Sequence, residues 1–392
     1  MINQAIILAA GEGQRLRPFT VTRPKVMLSI AGKPILQYVI EALAQNGVRK
    51  IVVVVGYRKE QIFDHFGTGE EFGVELVYLT QERQLGTAHA LSQARGAMKG
   101  EFLVMAGDNL IDADTISGFL STKPPAVLLK QVPDASRYGV VRVENGHVKG
   151  IMEKPAEAQG NTINTGTFAF DQHIFDAIGH ELDIPDVINE MLKQGISVSA
   201  TETQGMWLDV VYPWDLVQLN SAILAGIPGK LGGTIEAGTT IKGTVSIGKD
   251  TIIRSNSYIV GPAVIGENCD IGPNVCILPS TSIGDNVKIS QFTTIDNSVI
   301  GDDVSVGPAS VVEDSVIDKG CVLKGHFTAC SGEADVKVDE EYHDITIGAM
   351  MGIGCTAENV IVAESGTIVG NYCQIKAMKS LSGRIPDKAR IY

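Results

Sequence analysis

From Ile235 to Ile295 an isoleucine stands at every sixth position without a miss: Ile235, Ile241, Ile247, Ile253, Ile259, Ile265, Ile271, Ile277, Ile283, Ile289 and Ile295. Four residues after each comes a small or β-branched side chain: Thr239, Val245, Thr251, Ser257, Ala263, Cys269, Val275, Thr281, Val287, Thr293 and Val299. Neither the turn of an α-helix, about 3.6 residues, nor the in–out alternation of a simple hairpin sheet produces that spacing. A prism whose every side turns one bulky and one small residue inward does produce it, and that prism is a parallel β-helix of hexapeptide repeats. After Ile295 the step shortens by one to Ile300, Val306 and Val312 continue, and Ile317 marks another slip. Residues 326–346 interrupt the pattern, with His326-Phe327-Thr328 and an acidic run over 335–344, and the period resumes weakly around Ile347, Ile353, Val369 and Ile375.

The first half follows a different pattern. Residues 51–55 are a continuous β-branched run, as in a strand covered on both faces; 34–45 and 88–98 read as helices, and 102–105 as a second buried strand. That alternation predicts a Rossmann-like α/β domain with a mostly parallel sheet, whose ligands bind beyond the carboxyl ends of the strands. Gly226 to Gly233, with Pro228, reads as a linker. The expected organisation is therefore an α/β domain over 1–226, a linker over 227–233 and a β-helix over 234–392.

The first predicted strand runs into Leu8-Ala9-Ala10-Gly11-Glu12-Gly13-Gln14-Arg15-Leu16-Arg17-Pro18-Phe19-Thr20, followed by Arg23-Pro24-Lys25. Gly11 and Gly13 let backbone N–H groups approach an anion with no Cβ in the way. Arg15 offers a guanidinium fork to phosphate oxygens and Lys25 a point charge, while Pro18 and Pro24 stiffen the loop. This is not a P-loop, because no G-K-[ST] follows. The run, with Gly32-Lys33-Pro34 shortly after, resembles the signature of the sugar-1-phosphate nucleotidylyltransferases. The resemblance implies a nucleotide cradle of Leu8, Ala10, Gly11 and Gly13, with Arg15 and Lys25 neutralising phosphate charge.

Three further clusters extend the resemblance. Gln81-Glu82-Arg83-Gln84-Leu85-Gly86-Thr87-Ala88-His89-Ala90 is similar to the family's base-reading segment. A carboxamide both donates and accepts, so Gln81 can pair with the imide edge of uracil or thymine, with Gly86 and the Thr87 amide close to the base. Thr87 can equally cap a helix. On the sugar side the resemblance implies Gly139, Glu153 and Asn164 around the sugar hydroxyls and Lys154 on the sugar phosphate. Asp108 and Asp209 are the implied Mg²⁺ ligands, two hard carboxylates of the kind that cation shares with phosphates and water.

The implied reaction joins a nucleoside triphosphate, UTP or dTTP, to a sugar 1-phosphate, N-acetylglucosamine 1-phosphate or glucose 1-phosphate, with loss of pyrophosphate. Both substrates are anions, so charge neutralisation and in-line positioning are what the protein has to supply. UTP and dTTP present the same imide edge, and the choice between them stays open, as does a dTDP-glucose-forming thymidylyltransferase.

A formal net charge of −13 excludes nucleic-acid wrapping and binding to anionic membranes. No apolar run approaches a membrane span and no charged, cleavable leader precedes the first strand, so a cytoplasmic location is expected. The cysteines all lie in the last third without a C-x-x-C pair, which points to reduced, structural thiols.

A nucleotidylyltransferase fused to hexapeptide repeats also resembles the bifunctional enzymes that acetylate glucosamine 1-phosphate with acetyl-CoA and then uridylylate it, on a left-handed β-helix. That resemblance implies His326 as the acetyl-transfer base. Here, however, His326 precedes Phe327-Thr328-Ala329-Cys330-Ser331-Gly332-Glu333, and the expected glycine-rich segment is absent. The alternatives are a β-helix that serves as an oligomerisation scaffold, in the form of a homotrimer, and a catalytically silent regulatory or assembly protein.

Overall fold

The computed structural model describes residues 2–155, 160–339 and 341–392. The chain divides into two compact units, the first made of Met1–Glu12, Arg23–Met27 and Ile35–Asp209, the second of Gly13–Thr22, Leu28–Pro34 and Val210–Tyr392. The sequence reading puts the division at 226–234, whereas the chain's own contacts gather 210–226 and two stretches of the signature region into the second unit.

The first unit is built on a nine-stranded sheet. Gln4–Ala9 lies parallel between Lys50–Val55 and Glu101–Ala106, and Lys50–Val55 lies parallel to Glu75–Thr80. Thr162–Asp171 joins Glu101–Ala106 in the antiparallel sense, followed by Ala126–Gln131, Ser199–Thr203, His147–Glu153 and Gly139–Glu144. Alternate residues of a strand face opposite sides. Ile7, Ile51, Val53 and Met105 therefore pack on Leu36, Val39 and Leu43 of the helix Ile35–Gln45, while Ile6, Val52, Val54 and Val104 meet Leu91, Ile184, Val187 and Ile188 on the other face. Coverage of both faces is why the run at 51–55 is apolar at every position.

Strand order places the site. The chain steps outward from Gln4–Ala9 through Lys50–Val55 to Glu75–Thr80, then returns to the far side of Gln4–Ala9 with Glu101–Ala106. In open α/β sheets such a reversal is where ligands bind, here beyond the carboxyl ends of Gln4–Ala9 and Glu101–Ala106.

The second unit carries three sheets of short parallel strands, with nine, nine and eight members. The isoleucines stack in register: Ile253 on Ile271 on Ile289, and Ile259 on Ile277 on Ile295. The slip to Ile300 shortens the coil by one residue, so that Ile283 pairs with Ile300 and Ile300 with Ile317. The small residue four positions on has its own explanation. Thr251 Oγ1 donates to Gly266 O at 2.7 Å, Ser257 Oγ to Gly272 O at 2.9 Å and Thr293 Oγ1 to Gly307 O at 3.0 Å, each reaching a corner of the next coil. Cys269, Cys321 and Cys355 occupy the same position and send their thiols to Gly284, Gly352 and Gly370. The buried cysteines are thus interior corner donors.

Residues 326–329 continue the β-helix: Phe327 is buried and Phe327–Ala329 pairs with Ile361–Ala363. The excursion is an antiparallel hairpin of Gly332–Val338 and Glu341–Ile347, narrower than the interruption read from the sequence. Afterwards the inward period of six restarts on Met351, Ala357, Ala363, Val369, Ile375 and Leu381, all buried. Ile353 sits between strands, and Ile347 ends the hairpin. Sequence periodicity finds Val369 and Ile375 but misses the start of the renewed ladder, because Met and Ala fill the positions that isoleucine holds earlier.

Candidate active site

Asp108 follows the strand Glu101–Ala106, separated from it by Gly107, whose N–H donates to Leu8 O at 2.9 Å and ties the ends of the two central strands together. The short strand Trp207–Leu208 pairs antiparallel with Leu110–Ile111, Leu208 opposite Leu110. One residue further on, Asp209 therefore comes alongside Asp108. The Lys25 ammonium lies between them, on Asp108 Oδ2 and 3.8 Å from Asp209 Oδ1, with all three side chains less than one quarter exposed. Lys25 gets there from a single 3-10 turn, Lys25–Met27, in which Met27 N bonds to Pro24 O at 2.9 Å.

A second group forms around the hairpin of Gly139–Glu144 and His147–Glu153. A Cβ at Gly139 would stand 2.8 Å from Glu153 Oε2 and 3.8 Å from Asn164 Cβ, so the three residues lie close together and a side chain at 139 would push the Glu153 carboxylate aside. Burial raises the Glu153 carboxyl pKa above its usual value; the Lys154 charge opposes this, and Asp183 and Asp186 add to it. Lys154 has left-handed backbone (φ 40°), its N bonded to Tyr138 O at 3.1 Å and its ammonium 3.9 Å from Glu153 Oε1. Such conformations gather at functional sites.

Two donors join these groups. Asn109 Nδ2 and Trp207 Nε1 both donate to Thr165 O, at 2.7 and 3.0 Å. One carbonyl next to Asn164 thereby holds the residue after Asp108 and the residue two before Asp209.

The third group lies at the end of Glu75–Thr80. Gln81 is buried, with Nε2 donating to Gly86 O at 3.1 Å and standing 2.9 Å from His89 Nδ1. Gly86 has φ 149°, and a Cβ there would be 2.3 Å from Leu182 O. The Thr87 N–H, read from the sequence as close to the base, instead donates to Asp183 Oδ1 at 2.9 Å, while Thr87 Oγ1 accepts from Ile184 N at 2.9 Å. Two helix starts, Thr87–Ser92 and Ile184–Lys193, cap each other in this way. Asp183, like Asn109 and His89, escaped the sequence reading. His89 lies inside the quoted segment, but Asp183 is 96 positions from Thr87 and carries no local signal.

Gly13 and Arg15 group with the second unit. There Arg15 Nε lies 3.1 Å from Asp339 Oδ2 at the tip of the hairpin, an exposed pair. Asn371 Nδ2 donates to Pro18 O at 3.0 Å in the same loop. His326 occupies an exposed corner of a coil with φ 59°, its backbone N bonded to Pro308 O at 2.9 Å. Among the described residues no carboxylate or carbonyl is hydrogen-bonded to its ring.

No three His, Cys, Asp or Glu side chains among the described residues form a metal cage. Asp108 and Asp209 do converge on one cation, the Lys25 ammonium. Two hard carboxylates so placed fit Mg²⁺, which takes its remaining ligands from phosphates and water.

Residues 4–226 match the family model described as nucleotidyl transferase, and residues 262–297 match that of the bacterial transferase hexapeptide. The chain is 35% identical over 327 residues to the bifunctional protein GlmU of Methanococcus maripaludis, covering 81% of this chain and 78% of that one. It is 32% identical to the bifunctional protein GlmU of Methanocaldococcus jannaschii over 99% of this chain and 97% of that one. A crystal structure of a candidate glucose-1-phosphate thymidylyltransferase from Bacillus anthracis, in complex with sucrose, is 29% identical with a TM-score of 0.53, over 58% of this chain and 97% of that one. No helix among the described residues is long and apolar enough to cross a membrane.

Proposed function

The chain belongs to the nucleotidyl transferase family, and from that premise we propose that it transfers a uridylyl group from UTP to N-acetylglucosamine 1-phosphate. It is a sugar-1-phosphate nucleotidylyltransferase by kinship; the finer substrate choice is the proposal. One observation supports the nucleotidyl transfer itself: Lys25, Asp108 and Asp209 converge at the strand reversal where an α/β sheet binds its ligand; the similarity to GlmU over nearly the whole chain favours the uridylyl choice.

An oxygen of the sugar phosphate attacks the α-phosphorus, the new P–O bond forms in line, and the bond to the β-phosphate breaks to release pyrophosphate. Asp108 and Asp209 would hold Mg²⁺, which supplies charge neutralisation on the triphosphate when bound. Lys25 then turns its ammonium to the triphosphate or the departing pyrophosphate, and Lys154 orients the attacking phosphate. Glu153, Asn164 and the open approach at Gly139 take the sugar hydroxyls. The Gln81 carbonyl oxygen accepts from the base, next to Gly86. Arg15 is assigned to the phosphates. Leu8, Ala10, Gly11 and Gly13 complete the cradle. A cytoplasmic enzyme that associates as a trimer through its β-helix belongs to the same reading.

The deciding experiment is pyrophosphate release with Mg²⁺, crossing UTP and dTTP against glucose 1-phosphate and N-acetylglucosamine 1-phosphate. Best turnover with UTP and N-acetylglucosamine 1-phosphate is expected; best turnover with dTTP and glucose 1-phosphate would make it a thymidylyltransferase. Acetyl-CoA-dependent turnover of glucosamine 1-phosphate would give His326 its second activity, and nucleotide binding without turnover would make the protein regulatory.

Glu153 also predicts a pH dependence. As an ionised acceptor with a raised pKa, it protonates at a higher pH than an ordinary glutamate. The KM for sugar 1-phosphate is expected to rise as pH falls through the weakly acidic range. Lys154→Met should move that rise to higher pH, because it removes the cation that opposes the upward shift. A profile in Glu153→Gln identical to the wild type would assign the dependence to the substrate's own phosphate.

A further inference from the structure

We propose that His89 determines the base selectivity of this site by fixing which way round the Gln81 carboxamide sits; the proposal rests on the reading of 81–89 as the base segment. Gln81 N donates to Val55 O at 2.8 Å, which anchors its backbone at the sheet edge. Its Nε2 has two protein partners, the Gly86 carbonyl at 3.1 Å and His89 Nδ1 at 2.9 Å. A carboxamide nitrogen carries two donors and no acceptor. Nδ1 of His89 must therefore be the acceptor, in a neutral ring with its proton on Nε2. The backbone that carries the imidazole is itself held in place. His89 N donates to Leu182 O at 3.2 Å, and His89 O accepts from Ser92 Oγ and Gln93 Nε2 at 2.8 and 3.1 Å.

With both amide donors engaged by the protein, Gln81 can offer a ligand only its carbonyl oxygen. The Gly86 N–H, on the residue whose carbonyl accepts from Gln81 Nε2, donates to no group among the described residues. An acceptor beside a backbone donor complements a base edge that presents N–H beside C=O, which is the imide edge of uracil and thymine. Cytosine in the same pose turns the bare N3 lone pair onto the Gln81 oxygen. A carboxamide turned over would reverse that preference. The Gly86 carbonyl opposes the turn from one side and His89 from the other.

The test compares kcat/KM for UTP (or dTTP, whichever the wild type uses better) with that for CTP in the full chain. His89→Phe keeps a ring and loses the acceptor. His89→Asn restores an acceptor oxygen near the place of Nδ1. In His89→Phe the preference over CTP should fall about tenfold, the worth of one buried hydrogen bond, through KM for the preferred nucleotide with kcat nearly unchanged. His89→Leu serves the same purpose should the phenylalanine variant fail to fold, and His89→Asn should keep the preference. An unchanged ratio in His89→Phe, or equal loss in the phenylalanine and asparagine variants, would overturn the proposal. Gln81→Ala separates the two layers. If it abolishes the preference while His89→Phe does not, only the role of His89 fails; if it leaves the preference intact, the base reading fails and this inference with it.

Discussion

Asp108→Asn is expected to reduce pyrophosphate release about 100- to 1,000-fold, the usual loss when one preorganised electrostatic stabiliser is removed from a transition state. The carboxylate has two tasks in this site: it contacts the Lys25 ammonium, and with Asp209 it forms the pair that fits a divalent cation. Asparagine keeps the shape and removes the charge, so the loss should fall on kcat and on the Mg²⁺ concentration needed for half-maximal rate. Asp209→Asn should behave alike. The double variant should lose little more than either single one, because residues that act as a unit are strongly non-additive. Circular dichroism and a melting curve close to wild type distinguish lost chemistry from lost fold. Near-wild-type turnover in Asp108→Asn would remove this aspartate from the reacting centre.

The second large effect lies among residues that contact no substrate in the proposed reading. Asn371 is 1% exposed. Its Nδ2 donates to Pro18 O at 3.0 Å and to Asp387 Oδ1 at 3.2 Å, and its Oδ1 accepts from Ile353 N at 3.0 Å. Its own N–H donates to Asp387 Oδ1 at 2.7 Å. One carboxamide thus joins neighbouring coils of the β-helix to the loop that carries Gly13 and Arg15. Leucine fills about the same volume, leaves the half-buried Ile353 N–H without a partner and leaves Pro18 O only the longer bond from Val21 N at 3.3 Å. An orphaned donor costs about 1–3 kcal/mol and a lost hydrogen bond about 1 kcal/mol, so Asn371→Leu should cost about 2–4 kcal/mol in all. Thermal unfolding monitored by circular dichroism should show a drop of a few degrees. Given the role assigned to Arg15, KM for the triphosphate should rise several-fold as well. An unchanged melting temperature would show that the loop is held by other contacts.

How much could be read in advance differs between the two halves of the chain. The ladder from Ile235 to Ile295 was legible because each coil packs only on its neighbours, so spacing along the chain is nearly the whole of the fold. It became illegible after the hairpin, where Met351 and Ala357 serve as well as isoleucine in a narrow interior. In the first half, the residue types of the site were visible one cluster at a time: Gly139, Glu153 and Asn164, or Asp108 and Asp209. Their grouping was not visible. It depends on Leu208 pairing with Leu110 and on Asn109 and Trp207 sharing Thr165 O.

By itself, then, the sequence determined the β-helix, the α/β character of the first half and the residue types of the candidate site, because periodicity and the donor and acceptor types of side chains are local properties. Tertiary structure alone decided which partner each group meets. It set Asp183 rather than a base against the Thr87 N–H, His89 behind Gln81, and Asp339, 324 positions away, on Arg15. Strand order and register bring such residues together, and hydrophobic spacing records which face a residue occupies without recording what stands opposite it.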